Sequence, residues 1–159
     1  MDKKIRRAVI KDTDEIISLL SDSAKLHANH RGDIIRNSTL HYSENDIHNL
    51  FIEDGPINAF VSINEAEKIT GILLYRIGVT SNHNVFLDSK KMWIDEICIG
   101  EPYRKQGYGK ILLDYAKETA QSNNCSRIEL NVWAFNKNAY DFYVNQGMKE
   151  QRVIMEYIF

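Results

Sequence analysis

A stretch near the middle of the chain, Arg104-Lys105-Gln106-Gly107-Tyr108-Gly109-Lys110, combines cations with glycines in one short turn. The apolar run Ile94-Asp95-Glu96-Ile97-Cys98-Ile99 leads into it, and the helical pattern Ile111-Leu112-Leu113 leaves it, so the order is strand, glycine turn, helix. The first turn of a helix offers backbone N–H groups without intrahelical partners and the positive end of the helix dipole, both favourable to a phosphate. Gly107 and Gly109 can take positive φ and carry no side chain to hold a ligand away, so the backbone can close around an anion. The spacing predicts a pyrophosphate site. It is not a Walker A loop, which needs glycine where Arg104 stands and Ser or Thr at Ile111. Nor is it a dinucleotide fingerprint, which needs Gly or Ala at Leu112.

The strand before the turn carries two carboxylates, Asp95 and Glu96, where a buried strand normally reads as an unbroken apolar run. Strict alternation puts Trp93, Asp95, Ile97 and Ile99 on one face and Ile94, Glu96 and Cys98 on the other, so one of the two acids is expected in a polar cavity. That acid is a candidate general base, with a structural hydrogen-bonding role or an ammonium-binding role as open alternatives. Downstream, Asn136 precedes a helix over 137–146 that places Ala139, Phe142 and Tyr143 on one face, and Gly147 ends it. Cys98 reads as a packing residue with no chemistry of its own. His27 and His30 share a helical face, and His41 and His48 lie nearby, but no third ligand has the spacing of a metal site, so no metal is expected.

These segments together resemble the GNAT superfamily of N-acetyltransferases. Arg104, Gly107 and Gly109 fill the fixed positions of its (Gln/Arg)-x-x-Gly-x-(Gly/Ala) signature, and Asn136, Ala139, Phe142, Tyr143 and Gly147 fill a second pattern, with Met148 where the family usually has Phe. The resemblance is specific from about 93 to 148 and architectural before that. It implies an α/β fold with a central mixed, mostly antiparallel sheet, helices on both faces, and the cofactor in a splay between two central strands. It implies acetyl-CoA as co-substrate, held by 104–110, by Asn136 and Tyr143, and by the backbone of Ile97, Cys98 and Ile99. Glu96 or Asp95 would be the base, and Tyr143 the acid that protonates or hydrogen-bonds the departing thiolate. The expected reaction is direct attack of a primary amine of a small molecule or peptide on the thioester. The alternative is a noncatalytic acyl-CoA-binding regulatory module with the same fold. Asn131 stands where some peptide-acting relatives carry an acid, which lowers the expectation of protein N-termini as substrates. Self-association through the last strand, giving a homodimer, is a further expectation from the family.

Length and composition agree with one domain over 1–159, with acceptor-side helices at about 12–54 and an acetyl-CoA core at about 91–148. The 20 basic and 22 acidic residues leave a net charge of -2, too little to attract nucleic acid or an anionic membrane. No run has the length of a membrane span or of a signal h-region, so a cytoplasmic protein is expected. Two cysteines, Cys98 and Cys125, make no disulfide framework. In order, the patterns predict a strand at 3–10, a helix from Asp12 to His30 opened by an Asp12/Glu15 capping box and burying Ile16, Leu19, Leu20, Ala24 and Leu26, and a turn at Arg31-Gly32-Asp33. A second helix starts at Ser43 with Asp46 and buries Ile47, Leu50 and Phe51. Strands follow at 57–63 and 69–77, then a loop over 79–91, the central strand 92–99, a helix, a strand at 127–132, the 137–146 helix, and a last strand over 150–159.

Overall fold

The computed structural model describes residues 4–36, 42–52 and 55–159. Its strands are β1 (Lys4–Arg7), β2 (Asn58–Ile63), β3 (Ile69–Thr80), β4 (Ser89–Ile99) and β5 (Arg127–Glu129), and its α-helices are α1 (Thr13–His30), α2 (Glu44–Asn49), α3 (Tyr108–Ser122) and α4 (Lys137–Asn145). The sheet runs in chain order, β1-β2-β3-β4-β5; the first three pairings are antiparallel and β4–β5 is parallel. This is the mixed, mostly antiparallel sheet that the sequence implies.

Each sheet face has its own core. On one side Ile16, Leu19 and Leu20 of α1 and Ile47 of α2 meet Val61, Ile72, Leu74 and Cys98. On the other, Leu112, Leu113, Ala116 and Ala120 of α3 meet Leu73, Tyr75, Met92 and Ile94, with Phe142 and Tyr143 of α4 packed against them. The buried stripe of α1 is Ile16, Leu19, Leu20, Ala24 and Ala28, the spacing of a helix pressed on a sheet. Leu26, expected in that stripe, is exposed because it falls on the far side.

Local chemistry accounts for most boundaries. Ser43 caps α2: its hydroxyl accepts from the Asp46 N–H, and the Asp46 carboxylate accepts from the Ser43 N–H at 2.9 Å. Arg31-Gly32-Asp33 ends α1 as a turn, with the Arg31 guanidinium on Asp33 and Glu156. Asp12 does not cap α1. Its carboxylate accepts from the Val9 N–H and from Arg6 of β1, so it ties the first strand to the helix start instead. The Arg6 partnership also holds the Asp12 carboxyl below its ordinary range despite opposition from burial.

Two further expectations need correction. The loop at 79–91 is shorter than its polarity suggests: β3 runs to Thr80 and β4 starts at Ser89, so only residues 81–88 turn the hairpin. Cross-strand pairing overrides composition there. The strand expected at 150–159 does not form. Val153, Met155, Tyr157 and Phe159 alternate as predicted, yet they are exposed and join no sheet; the segment meets β5 through side chains, Gln151 donating to Glu129 at 3.0 Å, and not through a backbone ladder.

Candidate active site

The hairpin β3–β4 is not regular. Leu74 pairs with Glu96 and the next residue, Tyr75, pairs with Ile94, so Asp95 is an extra residue in β4 and makes a β-bulge. The bulge resets the alternation. Upstream, Met92 and Ile94 face α3; downstream, Cys98 faces α1 although it has the same parity. The strict two-face assignment of Asp95 and Glu96 therefore fails. Asp95 pairs with Arg76 of β3, with O···N contacts of 2.6 and 2.9 Å, while Glu96 accepts a 2.8 Å hydrogen bond from Ser23 of α1.

Next to the bulge the sheet opens. The β4–β5 ladder contains Lys91↔Arg127, Met92↔Ile128 and Trp93↔Glu129 and then stops, whereas β4 continues to Ile99. Among the described residues no strand flanks β4 on that side from Ile94 onward. The side of β4 turned away from β3, from Ile94 to Ile99, thus borders a gap rather than a ladder. Lys91 of β4 and Glu129 of β5 clamp the closed end with a 2.7 Å ion pair.

The glycine turn sits at the end of this gap. Lys105 and Gly107 both have left-handed backbone, φ 58° and 87°, and Gly107 is the N-cap of α3. Gly109 lies within the helix; a Cβ there would meet Phe142 of α4 at 3.4 Å and Ile99 at 3.8 Å. Its smallness serves close packing of α3 near α4 and β4. The Ile111 N–H donates to the Gly107 carbonyl at 3.2 Å, which leaves the Gly109 and Lys110 amides ahead of that bond at the helix start. Arg104 folds back, its Nε donating to the Ile99 carbonyl at 3.2 Å, and Gln106 donates to the Pro102 carbonyl at 2.7 Å. The Lys110 ammonium pairs with Asp114 one turn on. The Tyr108 ring is buried against Tyr103, so its side chain belongs to the core.

Around the gap the structure gathers titratable groups. Burial pushes the Glu96 carboxyl above its ordinary pKa, the Ser23 bond lowers it, and the Asp95 charge raises it again. Burial, then the charges of Glu96 and Cys98, raises the Tyr143 phenol, which keeps it protonated. The Cys98 thiol is pushed up to about 12 by burial and by Glu96, and its Sγ donates to the Leu19 carbonyl at 3.2 Å. A thiol so held is a poor nucleophile, as its sequence setting suggests. Asn136 caps α4, its Oδ1 accepting from the Ala139 N–H at 3.2 Å.

Two residues escaped the sequence reading. Ser23 carried one signal, a hydroxyl beside the apolar stripe of α1. Tyr42, just ahead of α2, carried none; its phenol is raised by burial and by the charges of Glu96 and Asp95, and it also lines an apolar cleft of about 350 Å³ with Ile10, Ile17, Ile47 and Phe51. His30 stacks on Phe135 at 4.4 Å, and His27 lies 6.3 Å from Trp133, so both belong to an aromatic cluster at the end of α1. His48 is exposed at the cleft, and His41 lies outside the described residues. Among the described residues no three His, Cys, Asp or Glu side chains converge as a metal site, and no helix is long and apolar enough to cross a membrane.

Comparison with known proteins agrees with this geometry. A variant of the BH1408 protein of Bacillus halodurans superposes with a TM-score of 0.91 at 25% identity, covering 98% of this chain and 99% of that one. An aminoglycoside acetyltransferase from an uncultured soil sample shares the fold, with a TM-score of 0.68 at 20% identity and coverage of 99% and 96%. By sequence, an L-ornithine N5-acetyltransferase of Arabidopsis thaliana is 36% identical over 66 residues, 42% of this chain and 29% of that protein. A tyramine N-feruloyltransferase of Nicotiana tabacum is 33% identical over 69 residues, 43% of this chain and 30% of that protein. The matched stretch thus spans about a third of the length of these curated relatives. The model of the acetyltransferase (GNAT) family matches residues 22–148, most of the chain and all of the site from Ser23 to Tyr143, and the chain belongs to that family.

Proposed function

We propose that the protein transfers an acetyl group from acetyl-CoA to the primary amine of a small molecule. The observation that carries this reading is the opening between β4 and β5 after Trp93 and Glu129, which leaves one edge of β4 free beside the left-handed turn at Lys105 and Gly107. An extended pantetheine arm can add to a free strand edge by backbone hydrogen bonds, and a pyrophosphate suits the N-terminus of α3. When bound there, acetyl-CoA supplies the activated acyl group as a thioester.

The residues then divide the work. An alkylammonium has a pKa of ~10, and only its neutral form is a nucleophile. Glu96, whose pKa is raised by burial, accepts that proton near neutral pH. Backbone N–H groups at Ile97 to Ile99 stabilise the oxyanion as the new C–N bond forms. Tyr143, protonated throughout this range, gives its proton to the sulfur as the C–S bond breaks. Cys98 takes no part, so the acyl group passes directly to the amine. Asp95, neutralised by Arg76, holds the bulge in shape and is not the base. Asn136 positions α4, and through it Tyr143, by its cap.

The acceptor enters from the α1–α2 side, where Tyr42 stands between the acids and the apolar cleft. A cleft of about 350 Å³ matches a small molecule with an apolar body. The activities named for the plant relatives, on ornithine and on tyramine, are both on small amines and support this choice. The exposed alternation at 153–159 supports self-association through that tail as the homodimer contact.

The test is thiol release from acetyl-CoA by the purified protein against L-ornithine, tyramine, polyamines, aminoglycosides and short peptides, with Tyr143→Phe in parallel. Release with a small amine that falls in the variant is expected. Calorimetry showing tight acetyl-CoA binding without release on any amine would favour a regulatory module, and absence of binding would remove the reading altogether.

A further inference from the structure

A carboxylate at a bulge needs a partner if it is to keep one orientation, and for Glu96 that partner is on another element. Ser23 Oγ lies 2.8 Å from Glu96 Oε1, across 73 positions of sequence. Among the described residues this is the only hydrogen bond to the carboxylate, so Oε2 remains for a substrate.

The helix itself makes this bond selective. A serine within an α-helix ordinarily donates to the carbonyl four residues back, which for Ser23 is Leu19. That carbonyl already accepts the Ser23 amide by helix geometry, and the Cys98 thiol donates to it at 3.2 Å. Both its lone pairs are therefore engaged, and the hydroxyl turns to Glu96.

We propose that Ser23 is a positioning residue, whose hydroxyl fixes Glu96 Oε1 so that Oε2 faces the incoming amine. This rests on Glu96 being the base. The other titratable groups around it are Asp95 and Cys98 on β4, Arg76 of β3 through Asp95, Tyr42 ahead of α2, Tyr143 of α4, and Asp22 of α1 through Cys98. Burial and Asp95 disfavour the Glu96 charge, and the Ser23 hydroxyl is the group that favours it.

Carbon-13 NMR of protein labelled at the glutamate side-chain carboxyl reads the titration without any acceptor, with the Glu96 resonance assigned by its absence from Glu96→Gln. Removing a hydrogen bond to a charged group should move the Glu96 midpoint upward by roughly one pH unit in Ser23→Ala. Ser23→Thr, which keeps a hydroxyl, should restore the wild-type midpoint, whereas Ser23→Val, of the same shape, should behave as Ala does. In thiol-release assays with L-ornithine or tyramine, the acid limb of kcat/KM should move in parallel while acetyl-CoA affinity stays constant. An unmoved Ser23→Ala midpoint, or Thr and Val variants that titrate alike, would overturn the positioning role alone, provided Glu96→Gln has lost turnover. If Glu96→Gln keeps full turnover, the base assignment falls and the positioning role falls with it.

Discussion

In the proposed reaction a carboxylate accepts a proton and a phenol donates one, which makes opposite demands on the same enclosed space. Burial serves both, since it raises the Glu96 carboxyl toward neutrality and keeps Tyr143 protonated. For activity the sign is direct: Glu96 works only when ionised, so kcat/KM should rise with pH through a midpoint above the ordinary carboxylate range. For stability the sign reverses. The folded chain binds the Glu96 proton more tightly than the unfolded chain does, so folding loses free energy as pH climbs from the unfolded carboxyl pKa through the raised folded value. Glu96→Gln should therefore abolish this slope, unfolding at higher denaturant than wild type at pH 8 but not at pH 4, while turnover drops by about 10²–10⁴-fold. Denaturation curves at the two pH values and a thiol-release assay measure both effects. Tyr143→Phe should cut kcat by about 10²-fold with acetyl-CoA affinity retained, because the ring packing against Phe142 survives the change. A variant that instead loses cofactor binding would make the phenol a binding group.

At the scale of the element, the site depends on two local departures from regular geometry, the bulge in β4 and the left-handed turn before α3. The turn was readable, because a glycine set between cations at a strand-to-helix junction is what a backbone cradle for an anion requires, and Gly107 stands there. Its neighbour Lys105 was not, since nothing in a lysine announces φ of 58°. The sequence suggests that Gly107→Val would weaken acetyl-CoA binding with little effect on folding, but the φ of 87° changes that expectation. A β-branched residue in left-handed backbone should cost about 1–2 kcal/mol of stability in addition to the affinity. Gly107→Asn, which tolerates this conformation better, should retain more stability, and chemical denaturation alongside calorimetry with acetyl-CoA separates the two effects. The bulge was not readable, because a period-two pattern carries no mark for the one extra residue. What the sequence did carry was an anomaly, two adjacent acids in an apolar strand, and the bulge is its physical resolution. Gly71 of β3 shows how tightly the hairpin is fitted there: a Cβ would stand 2.5 Å from Ile99 Cδ1 and 2.8 Å from the Cys98 carbonyl. Gly71→Ala should accordingly destabilise the fold by about 1–3 kcal/mol and, by displacing the open edge of β4, raise the acetyl-CoA dissociation constant.

Across the whole molecule, patterns that depend on neighbours in sequence were legible and contacts that join distant segments were not. The hairpins, the Ser43/Asp46 cap and the helix stripes follow from local periodicity. Ser23 meeting Glu96, Asp12 meeting Arg6, and Tyr42 standing beside the acids are products of how α1 and α2 settle on the sheet. The last ten residues, 150–159, fall between these cases. Their alternation was legible, but a period of two does not say which edge a segment joins, and here it meets β5 only through the Gln151–Glu129 side-chain bond among the described contacts. Val153, Ile154, Met155, Tyr157, Ile158 and Phe159 are all more than two-thirds exposed, an apolar run longer than isolated surface residues account for. If that tail is the contact between two copies, wild type should sediment as a dimer at micromolar concentration. Ile154→Asp with Tyr157→Asp should then sediment as a monomer. Because both side chains are exposed and the ring contact of Tyr157, on Phe159, lies within the tail, the double variant should keep the unfolding midpoint that wild type shows at concentrations where it is monomeric. A wild type that stays monomeric at every concentration would reject self-association through the tail, and a double variant that unfolds early would place those side chains against their own chain instead.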